Sequence, residues 1–216
     1  MSDPVALELR EHFANPEQQR ETASVGMWIF LVTEIMMFGG LFMAYTVYRF
    51  NHPQAFAEGS AGMDIVLGSI NSAILLTSSL TMGLAEYSAK LGRQRLMGFL
   101  LLATILIGLA FLGIKFAEYY EHFQEHKAPG VWFNDNGVNA GQVQMFFVFY
   151  FIMTGLHAVH MCVGIGILLV MLFRNFIGSF SAIYYTPIRI TGLYWHFVDV
   201  IWIFLYAIFY LPGLHR

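Results

Sequence analysis

The chain has 216 residues, of which 57% are hydrophobic and only 12% are charged, and its mean hydropathy is +0.60. A soluble protein of this length has too little interior to bury so much apolar surface, which indicates that lipid covers it. The net charge of −3 with 11 Lys and Arg residues argues against a nucleic-acid-binding protein, and the single cysteine, Cys162, excludes an intrachain disulfide framework or a metal site built on several cysteines.

The chain divides into a polar N-terminal segment, residues 1–24, and a strongly apolar remainder, residues 25–216. The polar segment lacks the apolar stretch of a secretory signal, so we expect the first membrane span to direct insertion and to remain in place. Five windows in the remainder reach the ~20 apolar residues that a helix needs to cross a bilayer. The windows cover about residues 25–48, 63–87, 96–118, 145–173 and 190–211.

These windows are continuously apolar and too long for the alternating strands of a membrane barrel. Backbone groups in lipid must also be bonded within their own segment, which favours helices. The sequence therefore predicts an all-α membrane protein: one domain, a bundle of five transmembrane helices. Seven of the 11 Lys and Arg residues fall on the side of the N-terminal segment, which predicts a cytoplasmic N-terminus and a C-terminus outside.

Glu34 lies near the middle of the first span, where a carboxylate costs about 2.5–3.5 kcal/mol on insertion scales. One interpretation is a proton-handling or partner-binding group that faces protein. The alternative is a neutral acid hydrogen-bonded to a neighbouring helix. Both interpretations require that protein, and not lipid, covers the side chain.

Other polar residues of the second and third spans have simpler interpretations. Asn71, beside Ser69 and Ser72, is expected to hydrogen-bond between helices. Lys115 and Glu118 are three residues apart, so they can pair on one helix face, or Lys115 can extend to the lipid headgroups.

The fourth span carries His157 and His160 on one helical face. Such a pair fits either a haem or metal site, or two neutral histidines bonded to carboxylates or carbonyls of other helices. Small residues at Ala158, Cys162 and Gly166 form a row on a different face, which predicts close approach by another helix there. The histidine face is expected to point into protein.

The fifth span repeats this spacing with His196 and Asp199. The two side chains can compensate each other on one helix face, which makes them either a self-contained polar pair or a contact or proton site. From residue chemistry alone, the chain is either a partner-dependent subunit or a small carrier. Pseudo-symmetric halves typical of many transporters are not visible.

Five phrases of sequence occur in order along the spans. They are GMWIFLVTEIMMFGGLFMAY from Gly26, NSAILLTSS from Asn71, IGLAFLGIKFAEYYE from Ile107, FIMTGLHAVHMCVG from Phe151 and YWHFVDVIWIFLY from Tyr194. Together they resemble subunit III of the haem-copper cytochrome c and quinol oxidases, in its short five-helix form.

The resemblance implies an accessory subunit with no catalytic residues and no haem, copper or other cofactor of its own. Its implied partners are the catalytic subunit I, which reduces oxygen, pumps protons and holds haem and copper, together with subunit II, other membrane subunits and structural phospholipid. The implied function in aerobic respiration is to stabilise subunit I and to support proton uptake, in the cell (inner) membrane of a prokaryote. Cytochrome c is the expected electron donor of the complex, with quinol as the alternative.

The residues expected to be buried, proton-linked, or in contact with lipid or a partner are Glu34, Asn71, Glu118, His157, His160, Trp195, His196 and Asp199. Three departures from the family are visible. The two N-terminal helices of longer members are missing, Lys115 stands where many members have Gln, and Ala158 replaces a common Gly.

Two further functions are compatible with parts of the sequence. A related branch of the family accompanies nitric oxide reductase and would share most of these motifs. A small membrane cytochrome would use His157, His160 or His196 as haem ligands, although two ligands three residues apart on one helix do not easily reach opposite faces of a haem.

Overall fold

The computed structural model describes residues 15–125, 127, 129, 139–182 and 184–212, and over these residues it is helical with connecting turns. Most of the predicted N-terminal segment and the last four residues lie outside the described residues. The helices are α1 (Pro16–Asn51), α2 (Pro53–Ala61), α3 (Ile65–Lys90), α4 (Gln94–Gln124), α5 (Ala140–Phe176) and α6 (Thr186–Phe209). All except α2 are long and apolar enough to cross a membrane, so the prediction of five spans in an all-α protein is confirmed.

The helices extend beyond most of the apolar windows because polar residues complete their ends. Pro16 opens α1, where its missing N–H costs nothing, and the Asn15 side chain accepts a hydrogen bond of 2.7 Å from Gln18 N. α1 therefore runs without interruption across residue 24. At the turn from α3 to α4, Gly92 adopts a φ of 71°, which a residue with a side chain rarely adopts.

The short helix α2 was not predicted, because its nine residues are too few and too polar to form an apolar window. It packs against α5 at one end of the bundle, which we call the α2 end. Ser60 Oγ donates a hydrogen bond of 2.8 Å to the carbonyl of Phe209, so α2 is also attached to the last turn of α6.

Helices α3, α4, α5 and α6 form a closed four-helix bundle in which each helix packs against two neighbours in the ring. α1 lies outside this ring, against α5 and α6, and buries only one side. Large aromatic side chains fill the centre of the four-helix bundle. The largest fully buried ones are Trp195, Trp202, Tyr150, Tyr210, Phe111, Phe146 and Phe209.

Candidate functional site

The most enclosed polar cluster of the described residues surrounds Lys115 and Glu118, both only 3% exposed. Their three-residue spacing on α4 brings Lys115 Nζ to 2.9 Å from Glu118 Oε2. Tyr150 of α5 and Tyr210 at the end of α6 complete the cluster, accepting hydrogen bonds from Lys115 Nζ at 2.9 and 2.8 Å. Both tyrosine hydroxyls also donate to Glu118 Oε1. We call these four residues the lysine cage.

Aromatic rings complete the environment of the ammonium group in the lysine cage. Lys115 Nζ lies 5.0 Å from the ring centroids of both Tyr150 and Trp202, which is within the range of cation–π attraction. The predicted pairing of Lys115 with Glu118 is confirmed, and Lys115 does not extend to the headgroups. Every polar atom at the end of these side chains has a partner, so the cage is a closed unit that stabilises the bundle and offers no free group to a ligand.

A second ionisable pair joins α1 to α5. His160 Nε2 lies 3.0 Å from Glu34 Oε2, and His160 Nδ1 lies 2.8 Å from the carbonyl oxygen of Leu156. Because a carbonyl oxygen only accepts, Nδ1 carries a hydrogen. One further proton then lies between Glu34 and His160, either on a neutral acid that donates to Nε2 or on an imidazolium that donates to a carboxylate. We call this the α1–α5 pair, and its side chains are about 15% exposed.

His157 occupies a different environment from His160, although the two share a helix. It is 1% exposed, and neither ring nitrogen has a hydrogen-bond partner among the described residues. Its ring packs edge-on against Phe111 and tilted against Trp202, at centroid distances of 5.6 and 5.4 Å. The structure therefore places His157 in the interior, as predicted. The two histidine rings have different neighbours and do not converge on a common binding site.

The small-residue row of α5 is largely uncovered by the described residues. Cys162 is exposed, and a side chain added at Gly166 would meet no other atom within 4 Å. The predicted close approach at this row is therefore not made by any helix that the structure describes. Gly164, on the adjacent face, instead accommodates the indole of Trp195, which would lie 3.0 Å from an added Cβ.

Trp195 is fully buried and joins α6 to α3, since its indole Nε1 donates a hydrogen bond of 3.1 Å to Ser78 Oγ. Trp202, which the sequence analysis did not select, makes the same contact two turns away with Ser72 Oγ, also at 3.1 Å. Serines of α3 therefore provide the hydrogen bonds between α3 and α6. Trp195 and Trp202 are two helical turns apart on α6, and serines recur along α3 opposite them. This matched spacing is the sequence signal that could have identified Trp202.

Of the two interpretations of His196 and Asp199, the self-contained pair is not found. His196 Nδ1 lies 2.7 Å from Ser79 Oγ of α3, and no ion pair joins it to Asp199. Asp199 is 4% exposed and lies beside Ser79, yet its oxygens have no hydrogen bond of normal geometry among the described residues. The histidine bonds Ser79 of α3 instead of the carboxylate one turn along its own helix.

Asn71 is fully buried in α3, but neither atom of its amide is hydrogen-bonded to a described residue. The expected interhelical hydrogen bond is therefore made by its neighbours, with Ser69 Oγ 2.7 Å from the Tyr206 hydroxyl and Ser72 bonded to Trp202. Within the part of the chain that the structure describes, no three His, Cys, Asp or Glu side chains converge as metal ligands.

Comparison with known proteins shows extensive similarity to one family. The sequence model of the family named cytochrome c oxidase subunit III matches residues 12–214. The probable quinol oxidase subunit 3 of Staphylococcus haemolyticus (strain JCSC1435) is 30% identical over 190 residues, covering 88% of this chain and 89% of the relative. The protein with the same description from Staphylococcus aureus (strain USA300) is 30% identical over 197 residues, covering 90% of each chain.

Proposed function

The chain belongs to the cytochrome c oxidase subunit III family, and from this premise we propose that it stabilises the catalytic subunit I of a haem-copper oxidase and supports its proton uptake. Membership of the family implies association with subunit I. Haem and copper belong to the partner subunits in this proposal, and this chain contributes no catalytic residue. Subunit II and other membrane subunits complete the assembly.

The observation that carries the proposal is the contrast between the fully buried lysine cage and the partly exposed α1–α5 pair. The lysine cage satisfies its own groups inside the bundle, whereas the α1–α5 pair has one transferable proton between Glu34 Oε2 and His160 Nε2 and remains partly exposed. In this proposal the pair passes a proton to the neighbouring subunit and is then reprotonated from the aqueous side, so it returns to its original charge after each transfer.

Structural phospholipid is the proposed occupant of a groove beside this pair. The groove has a volume of about 480 Å³ and lies between α1, α5 and α6. Its lining is apolar apart from three side chains, which are those of His160, Thr191 and Tyr194. An acyl chain fits the apolar walls, while the three polar side chains already make hydrogen bonds within the protein.

The five apolar helices make the chain an integral membrane protein, and its bacterial relatives support the cell membrane of a prokaryote as its location. We place the N-terminus in the cytoplasm, on the basis of the Lys and Arg distribution. In this orientation the α2 end and the lysine cage lie towards the outer side.

Two candidate electron donors follow from different observations. The description of the matching family names cytochrome c, whereas the descriptions of the staphylococcal relatives name quinol. Oxygen consumption by the purified complex decides between them. Turnover with reduced cytochrome c supports the first donor, and turnover with a quinol alone supports the second.

The geometry gives little support to a membrane cytochrome. Both ring nitrogens of His160 lie at hydrogen-bond distance from protein atoms, and His157 is enclosed by Phe111 and Trp202. A nitric oxide reductase partner would share the fold, so the identity of the co-purifying catalytic subunit separates that alternative from an oxidase.

The stabilising role is tested by purifying the oxidase from cells that lack this chain. We expect a lower yield of catalytic subunit, a lower thermal midpoint and slower proton uptake, all restored by expressing the chain from a plasmid. Equal yield, midpoint and proton-uptake rate with and without the chain would contradict the proposal.

A further inference from the structure

We propose that the outward surface between α3 and α6 docks a transmembrane helix of another oxidase subunit, which places a polar side chain against His196 Nε2. The surface is formed by Ser79 and Gly83 of α3 and by His196 and Val200 of α6, and we call it the α3–α6 surface. The inference rests on the proposed function, because it assigns the face of this subunit that contacts the rest of the complex.

The first observation is the depth and incomplete bonding of His196. It lies in the middle of α6, at the level of the hydrocarbon layer, and is partly exposed. Ser79 bonds Nδ1, but Nε2 has no hydrogen-bond partner among the described residues. A ring nitrogen that faces hydrocarbon without a partner is costly, and ionisable residues in membrane spans almost always face protein or water.

The second observation is that polar groups continue from this point into the bundle. Ser79 bonds His196 and also lies beside the buried Asp199 carboxyl. The Ser79 hydroxyl is therefore bonded to the imidazole and lies next to the interior acid. A partner group at Nε2 would extend the Ser79–His196 hydrogen bond outward from the bundle.

The third observation is the shape of the surface. Gly83 is one helical turn from Ser79, and a side chain added there would meet no other atom within 4 Å. Val200 is one turn from His196 and is 48% exposed. The missing side chain at Gly83 leaves open space beside the polar group, which permits the close backbone approach typical of packed membrane helices.

Other outward surfaces have a different character. The outer side of α4 exposes Leu102, Leu106 and Leu109, which are suited to lipid. The ionisable pair of Glu34 and His160, about 15% exposed, bonds within itself across α1 and α5. The α3–α6 surface differs from both because its ionisable ring has a free nitrogen at mid-membrane depth.

The experiment places a photoreactive benzophenone amino acid at Ile203, at the edge of the α3–α6 surface, in the intact complex in its native membrane. Leu106 on the outer side of α4 is the matched control, since both side chains are exposed and apolar. We expect adducts with another oxidase subunit from position 203 and only lipid adducts from position 106. Subunit adducts from position 106 alone would overturn the inference.

A second variant tests the polar contact. His196→Phe preserves an aromatic side chain of similar shape, and Leu106→Phe is the control. We expect His196→Phe to weaken retention in the detergent-solubilised oxidase about tenfold, while the thermal midpoint of the isolated chain falls only slightly through loss of the Ser79 hydrogen bond. Unchanged retention would overturn the proposed contact. A loss of retention accompanied by a large fall in the thermal midpoint would also overturn it, because unfolding of the chain would then explain the loss.

Failure of the inference and failure of the proposed function have different outcomes. If unmodified chain does not travel with an oxidase at all, the proposed function fails. If it travels with the oxidase but cross-links only through α4, the function stands and the α3–α6 surface is excluded.

Discussion

The lysine cage and the α1–α5 pair are two solutions to the same problem, which is how to keep a basic and an acidic side chain within a membrane span. The cage lies inside the four-helix bundle, and its four residues come from α4, α5 and the end of α6. The ammonium group, the carboxylate and both tyrosine hydroxyls are all hydrogen-bonded. The α1–α5 pair lies between the bundle and the peripheral helix α1, and Glu34 and His160 share one hydrogen bond.

The difference shows that burial and bonding, and not residue type, separate a structural pair from a group suited to exchange protons or contact a partner. A buried pair with complete hydrogen bonding becomes very costly to disrupt, because the remaining charge has no replacement partner. A partly exposed pair is more adaptable, because neighbouring groups, lipid or water can compensate for a change. The two regions should therefore respond very differently to similar substitutions.

The largest effect is expected from breaking the lysine cage. Lys115→Met leaves Glu118 buried beside two tyrosine hydroxyls without its cation, and removal of one partner of a buried pair costs about 3–5 kcal/mol. We expect the free energy of unfolding in mixed micelles to fall by that amount. The double variant Lys115→Met/Glu118→Leu should recover most of the loss, since no buried charge is left unpaired. A double variant as unstable as the single one would show that the pairing is not what stabilises the bundle.

An intermediate effect is expected at Tyr210, whose hydroxyl donates to Glu118 and accepts from Lys115. Tyr210→Phe removes both contacts without changing the ring and should lower the free energy of unfolding by about 1–3 kcal/mol. Tyr87→Phe on the exposed side of α3 is the control. The same unfolding measurement in mixed micelles compares them, and equal stability of the two variants would contradict the bonding described for the cage.

The sequence predicted the number and type of the spans because apolar length is a property of contiguous residues. Hydrogen-bond partners that lie on other helices were harder to predict, as two pairs of residues with the same three-residue spacing show. Lys115 and Glu118 pair as expected, whereas His196 and Asp199, also three apart, do not, because Ser79 of α3 bonds the histidine. The tyrosines of the cage were missed for the same reason, since Tyr150 and Tyr210 are far from Lys115 in sequence and their convergence depends on helix packing.

A smaller effect on folding, but a clear effect on assembly, is expected at the α1–α5 pair. Glu34→Ala removes the partner of His160 Nε2 and should cost the isolated chain only about 1 kcal/mol, while weakening association with the catalytic subunit. Glu34→Gln retains an amide that can bond the imidazole and should assemble normally. A pull-down of the catalytic subunit with each variant measures this, and equal assembly of both variants would count against the interior hydrogen bond.

The smallest effect is expected on the outward side of α1. A side chain added at Gly40 would meet no other atom within 4 Å, so Gly40→Ala should change the free energy of unfolding by no more than about 1 kcal/mol, in the stabilising direction that helix propensity favours. Gly68→Ala is the contrasting variant, because its added Cβ would lie 2.8 Å from the Tyr210 ring of the lysine cage. If unfolding measurements show Gly40→Ala to be the more damaging of the two, the assignment of α1 as the peripheral helix is wrong.

The central claim is that this chain is the accessory subunit III of a haem-copper oxidase. Its most direct test is affinity purification of the tagged chain from its native membrane in mild detergent. The co-purifying proteins are identified, and a visible spectrum of the chain is recorded after it has been separated from them. We expect a catalytic subunit that reduces oxygen and contains haem, at one copy per tagged chain, and a separated chain without a haem band. A chain that is purified alone, or that carries its own pigment which is lost when His157, His160 or His196 is replaced, would contradict the account.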